Sequence, residues 1–284
     1  MDKSIKIVFF GTPAFVVPIL EALEENFQVV GIVTGPDQKI GRKQILTPSA
    51  VATNARRPLA AQGITLHKPE RLDNEAALEL KKLNADLFIV AAYGKIIPQN
   101  VLDIPKFGVI NIHYSLLPKY RGASPIQAAI LNGDKTSGTS IMQMDIKLDH
   151  GPVLATKEIS LSNTDTFESL NTKMTQETIP LLVDIIPQFI AGKVDLKPQN
   201  EEEATFTKII NKEDGYFDIG NPPTPEKLDR MIRAYYPWPN AWTKWNGKIV
   251  KFFPGELVQM EGKNPAKLAD FLRGYPDFPI KNLN

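Results

Sequence analysis

Four apolar runs punctuate the first 113 residues: IKIVFF (5–10), VVGIVT (29–34), ADLFIVAAY (85–93) and GVINIH (108–113). Stretches of helical pattern separate them. Short, nearly continuous apolar runs are what strands buried on both faces require, and parallel strands need helical crossovers to cover those faces. This alternation predicts an α/β fold, a Rossmann-like, mostly parallel sheet with flanking helices. A third short strand is expected over 64–69, with further strands over 138–145 and 153–162. Expected helices run from Pro13 toward Asn26, over 49–62, 74–83 and 125–131, and from 166 to 191. Thr12 is the expected N-cap of the first helix, and Pro18 is expected to kink it or delay its start. Residues 35–48 read as a polar loop.

The pattern changes after Gly192. Residues 193–214 are polar and charged and read as a linker, so the chain is expected to divide into a 1–192 domain and a 215–284 domain. The latter opens with a helix over 225–236 and continues through the strand-like AWTKW and KIVKFF. Later apolar strands are few.

Composition excludes several chemistries. There is no cysteine, which removes disulfides, thiolate catalysis and Cys-based zinc sites. The formal net charge of +1 gives no global attraction to nucleic acid, so any such contact must be local. The first apolar run is too short for a signal-peptide core or a membrane span. A cytoplasmic location is therefore expected, with no membrane partner.

The chemistry concentrates at GVINIHYSLLPKYRG. Side chains alternate along a strand, so Asn111 and His113 share a face. They fall where strand gives way to loop, the edge at which open α/β sheets bind ligands. An amide that can hold a developing oxyanion beside an imidazole that can move a proton suits acyl transfer. His113 is one of three histidines, with His67 and His150. A carboxylate beside the imidazole would orient it. Asp145 and Asp149, in MQMDIKLDHG, have equal claims on spacing alone, and Gly151 would permit a tight turn there. AAYGKIIP (91–98) pairs a Gly hinge with apolar residues, a combination suited to holding a flat ring, although core packing explains Ile96 and Ile97 as well. Lys39, Arg42 and Lys43 cluster in the polar loop, and Arg121 lies beside the site; each is a candidate for phosphate.

FFGTPAFVVPIL, PDQKIGR, LTPSAV, AAYGKIIP, NIHYSLLPKYRGASPIQAAILNGD, TSIMQMDIKLDHGPVL, ATFTKIINKEDGYFD and IRAYYPWPNAWT together resemble the methionyl-tRNA formyltransferases, a branch of the folate-dependent formyltransferases. The likeness spans nearly the whole chain. It implies transfer of the formyl group of 10-formyltetrahydrofolate to the α-amino group of methionine on initiator tRNA, with no metal; a monomer is expected. It implies Asn111, His113 and Asp149 as catalytic residues, which selects Asp149 over Asp145. It implies a folate-contacting loop at Ser115, Leu116, Leu117 and Pro118, to which Tyr93, Gly94, Ile96 and Ile97 are added. It implies tRNA contact at Arg42, with Lys39, Lys43 and Arg121 beside it. The resemblance further implies a C-terminal β-barrel of the OB type, shortened here because KIVKFF passes quickly into the tail, and His150 stands where relatives carry a small polar residue. Three rivals are an N-formyltransferase acting on a nucleotide-linked aminosugar, a glycinamide ribonucleotide formyltransferase, and a non-catalytic folate- or RNA-binding protein.

Overall fold

A computed structural model describes residues 4–41, 43–54 and 63–283. In chain order the elements are β1 (Lys6–Gly11), α1 (Val17–Asn26), β2 (Gln28–Val33), β3 (Gln38–Ile40), β4 (Ile45–Thr47), α2 (Ala50–Asn54), β5 (Thr65–His67), α3 (Asn74–Lys82), β6 (Leu87–Ala91), α4 (Gln99–Leu102), β7 (Val109–His113), β8 (Arg121–Gly122), α5 (Pro125–Asn132), β9 (Thr136–Gln143), β10 (Val153–Ser160), α6 (Phe167–Ile190), β11 (Phe206–Thr207), α7 (Pro225–Tyr235), β12 (Ala241–Trp245), β13 (Lys248–Phe253), β14 (Leu257–Met260), β15 (Ala266–Lys267) and α8 (Leu268–Gly274). The chain divides into two compact units. One comprises Met1–Arg121, Gly138–Glu158 and Lys173–Thr205; the other comprises Gly122–Ser137, Ile159–Thr172 and Phe206–Asn284.

The first unit is built on a seven-stranded sheet of order β10-β9-β7-β6-β1-β2-β5. The pairs β1–β2, β1–β6, β2–β5 and β6–β7 are parallel, while β7–β9 is antiparallel. The sheet is therefore mostly parallel, as the apolar runs predict. All five residues of β6 are buried, because it lies between β1 and β7 with both faces covered. Phe10, Phe88 and Tyr93 pack into one core cluster with Val8, Leu80 and Val101. α3 shows how sequence sets an element's ends. The Asp73 side chain accepts from Ala76 N at its start, and Lys81 and Lys82 lie in its last turn, where cations meet the negative end of the helix dipole.

The second unit has its own core. Strands β12-β13-β14-β15 form an antiparallel sheet. Phe252, Val250 and Val258 from it pack with Leu228 and Ile232 of α7 and with Phe271 of α8. α5 packs on α7 and ends at Gly133, whose φ of +71° makes a left-handed cap that favours glycine. The second unit is thus β-rich, and the tail supplies more strand than its sequence advertises. Among the described residues no helix is long and apolar enough to cross a membrane.

Local expectations fail in two instructive places, at Thr12 and over 35–48, and at Pro18 the structure chooses between the two outcomes expected. Pro13, not Thr12, stands before the first turn, a short 3₁₀ segment at Ala14–Val16. The Thr12 hydroxyl instead donates to Tyr93 O (3.0 Å) and accepts from Gly35 N (3.3 Å), tying together the loops that follow β1, β2 and β6. α1 starts only at Val17, with Pro18 in its first turn, so the proline delays the helix rather than bending it. Residues 35–48 are not a plain loop, for β3 and β4 pair as an antiparallel hairpin.

Candidate active site

Asn111 and His113 are at the end of β7, where their neighbours are Val90 of β6 and Met142 and Ser140 of β9. Between β9 and β10 the chain leaves at Gln143 and returns at Pro152, closed by a Gln143 N–H to Pro152 O bond of 2.9 Å. That loop carries Asp149 back over the strand ends. Asp149 itself takes the left-handed backbone, with φ +45°. Gly151 is needed for a different reason from the tight turn expected of it. A Cβ there would run into the Gln143 carbonyl, so glycine permits the two strands to approach.

The three side chains meet on the Asp149 carboxylate. Asn111 Nδ2 donates to Asp149 Oδ1 at 3.2 Å. His113 Nδ1 lies 3.6 Å from Asp149 Oδ2, with both side chains largely buried at 6% and 11% exposure. That separation is too long for a hydrogen bond. The other ring nitrogen, His113 Nε2, lies 2.9 Å from the Tyr120 carbonyl oxygen. A carbonyl only accepts, so Nε2 carries a proton and Nδ1 is the nitrogen free to gain or lose one. The tautomer is therefore set by a backbone group of the SLLPKY loop, not by the carboxylate that sequence reasoning assigns to the task. Asp145 belongs elsewhere: its Oδ2 lies 2.6 Å from His150 Nδ1. The two carboxylates that spacing leaves equivalent are thus separated by geometry.

The loop after β7 is pinned from beneath. Ser140 is fully buried; its hydroxyl donates to Ser115 O (2.7 Å) and accepts from Leu117 N (3.0 Å). Ser115 is also fully buried, with its hydroxyl donating to Lys119 O at 2.6 Å. Its side chain therefore shapes the loop. Leu116, Leu117 and Pro118 are half-buried and remain presented.

The AAYGKIIP segment splits. Tyr93 and Ile97 are buried in the core cluster at 3% and 5% exposure, so packing accounts for both side chains. Tyr93 stacks edge-on against Phe10, and burial pushes its phenol up to about 12. Its hydroxyl is buried with no hydrogen-bond partner among the described residues. Gly94 has φ +80° and open space where a Cβ would stand. Ile96 is 86% exposed, far from the core role that rivals ligand contact for it. The loop after β6 thus presents an exposed isoleucine and an open glycine, next to a hydroxyl buried in the core.

Sequence comparison adds what geometry alone does not. Residues 5–186 match the formyl transferase model, and residues 209–266 match the model for the formyl transferase C-terminal domain. The chain belongs to the formyl transferase family. A curated relative from Macrococcus caseolyticus, named methionyl-tRNA formyltransferase, is 39% identical over 258 residues, covering 90% of this chain and 81% of the relative. The solved methionyl-tRNA formyltransferase from Clostridium thermocellum shares the fold with a TM-score of 0.61 at 17% identity, covering 92% of this chain and 98% of its own. HypX from Aquifex aeolicus, solved in complex with tetrahydrofolic acid, has a TM-score of 0.62 at 16% identity, covering 95% of this chain and 47% of its own.

In this formyl transferase the candidate phosphate contacts fare differently. Lys39 and Lys43 are exposed on the β3–β4 hairpin beside exposed Ile40, Ile45 and Leu46. Arg42 lies outside the described residues. Arg121 is 2% exposed, and its guanidinium is engaged by Gln199 and Glu201. A buried guanidinium already paired in this way is not placed to meet a phosphate. Sequence reasoning also passed over Ser140 and Gln199. Neither sits in a motif with an intrinsic chemical signature.

Proposed function

We propose that this chain transfers the formyl group of 10-formyltetrahydrofolate to the α-amino group of methionine on initiator tRNA. The observation that supports it most is the convergence of Asn111 and His113 on Asp149. The acceptor follows from the kinship with the enzyme named methionyl-tRNA formyltransferase.

The folate co-substrate supplies an activated formyl carbonyl; the residues that would hold it are Leu116, Leu117 and Pro118 with Gly94 and Ile96. Asn111 uses one amide N–H on Asp149 and keeps a second for the carbonyl oxygen as it gains charge. His113 Nδ1 takes up the proton that the attacking amine loses. Asp149, close by and shielded from water, stabilises the imidazolium so formed. His113 then returns the proton to the departing folate nitrogen. The new C–N bond forms to the amine, the old one breaks at the folate, and the proton passes between the two nitrogens through Nδ1. Lys39 and Lys43, exposed on the β3–β4 hairpin, are basic groups offered to the acceptor's phosphates.

The test is direct. The protein is incubated with 10-formyltetrahydrofolate and either methionyl-initiator tRNA or an aminosugar nucleotide. Formylmethionyl-tRNA is expected, with the sugar untouched. Formylated sugar with unmodified tRNA would replace this acceptor, and no product from either would overturn the reaction.

A further inference from the structure

The loop that carries Asp149 is held within itself by Asp145, which accepts from Lys147 N (2.9 Å) and meets His150 Nδ1 (2.6 Å). Ile146 and Leu148 within it are 61% and 60% exposed, so no apolar burial anchors them, and Asp149 adopts a left-handed backbone that aspartate tolerates but does not favour over the right-handed regions. Beside the Asn111 bond to the Asp149 carboxylate and the Glu201 contact with His150, one side chain grips its backbone. Gln199 Nε2 donates to the carbonyl oxygens of Asp149 (2.9 Å) and Gly151 (2.8 Å). Gln199 Oε1 accepts from Arg121 Nε (3.0 Å) and Nη2 (2.9 Å).

This arrangement is locked in one sense. A guanidinium only donates and carbonyls only accept, so the amide has a single workable orientation. Arg121 is itself fixed, for it forms a two-point pair with Glu201 through Nη1 (3.0 Å) and Nη2 (2.6 Å). That pair holds the Glu201 carboxyl below its usual range. The segment bearing Gln199 is tied down two residues earlier by reciprocal backbone bonds between Lys197 and Val153. All of these residues lie within the first compact unit.

We propose that Gln199, oriented by Arg121, is a positioning residue for Asp149. By clamping the carbonyls on either side of His150 it holds the Asp149 backbone left-handed, and so keeps the carboxylate within reach of Asn111 and His113. The inference rests on Asp149 serving the formyl transfer proposed above. It gives the segment around 199 a task in the reaction beyond connecting two domains.

Q199E is the decisive variant, because it separates the two faces of the side chain. A carboxylate keeps an acceptor toward Arg121, and a purely structural tie to Arg121 would survive or strengthen. Toward Asp149 O and Gly151 O it presents an oxygen where a donor was, so the clamp is lost. Misplacing the carboxylate by about 1 Å is expected to lower kcat by about 100-fold, with KM for both substrates unchanged. The 15N signals of the His113 ring, read without turnover, are expected to shift because Asp149 moves relative to Nδ1. Gln199→Met, which removes the donor without adding repulsion, is expected to show the same kcat-selective loss and guards against a Q199E protein that folds poorly. Wild-type kcat in both variants, or unchanged His113 signals in both, would overturn the clamp. An inactive wild-type protein would instead overturn the proposed reaction, and the His113 signals would still decide for or against the clamp.

Discussion

Replacing Asp149 with Asn tests the proposed chemistry with little disturbance elsewhere. Asn fits the same volume, tolerates the left-handed backbone at φ +45° as Asp does, and still accepts from Asn111 Nδ2 through Oδ1. What it removes is the negative charge 3.6 Å from His113 Nδ1. At that separation and an effective dielectric of ~20, a unit pair is worth about 4–5 kcal/mol. That corresponds to about three decades in rate, reduced somewhat because Asp149 keeps 11% of its surface in water. The change also turns an amide donor toward Nδ1, which favours the neutral ring and opposes its protonation. The expected result is a fall in kcat of about 10²–10³ with little change in the folate KM. Single-turnover formylation of methionyl-tRNA, alongside a thermal melt to confirm the fold, measures it. A loss smaller than about tenfold, in a variant that melts like the wild type, would show that His113 does not gather charge opposite this carboxylate.

Two further outcomes follow from the fold. Phe252→Ala empties a fully buried site on β13, where the ring lies against Phe217 and Phe278; urea unfolding should show a loss of about 3–5 kcal/mol, and a loss below about 1 kcal/mol would mean the cavity collapses or the ring is not core. His67 has a pKa lowered by burial, opposed in part by Glu79, and its Nε2 has no partner among the described residues. Its folded state prefers the neutral ring, so its contribution is complete above its ordinary value of 6.5 and is lost as pH falls through the lowered folded value. His67→Gln should therefore flatten the acid side of the stability–pH curve, and an equally steep acid decline in the variant would refute it.

The parallel sheet was legible because burial on both faces leaves a mark that one chain can show. β6 is apolar throughout, β1 from Ile7 to Phe10 and β7 at Val109, Ile110 and Ile112, and the structure buries every one of these residues. The β3–β4 hairpin left no such mark. Its Ile40, Ile45 and Leu46 are 56%, 60% and 64% exposed, so no alternation of burial shaped its residues, and its turn lacks a strong pairing signal. The tail misled for a related reason. β14 and β15 are short, and their inward residues, Val258 and Met260, are too few to show a period; only packing with α7 and α8 makes them core.

At the site, side chains with intrinsic chemistry were legible and backbone atoms were not. Asn111 and His113 announced themselves by residue type and two-residue spacing. Choosing Asp149 over Asp145 required either kinship or coordinates, because both stand within one loop and only its path decides which faces the strand ends. The groups that fix the geometry were hidden altogether. Tyr120 acts through its carbonyl oxygen, Gln199 holds two carbonyls, and Ser140 holds a carbonyl and an amide. Every residue owns such backbone groups, so no substitution pattern in one sequence singles these out. It follows that the proton-carrying nitrogen of His113 is determined by the course of the SLLPKY loop. A change that shifts this loop, even one leaving Asn111, His113 and Asp149 intact, would release Nε2 and alter which nitrogen faces the reacting groups.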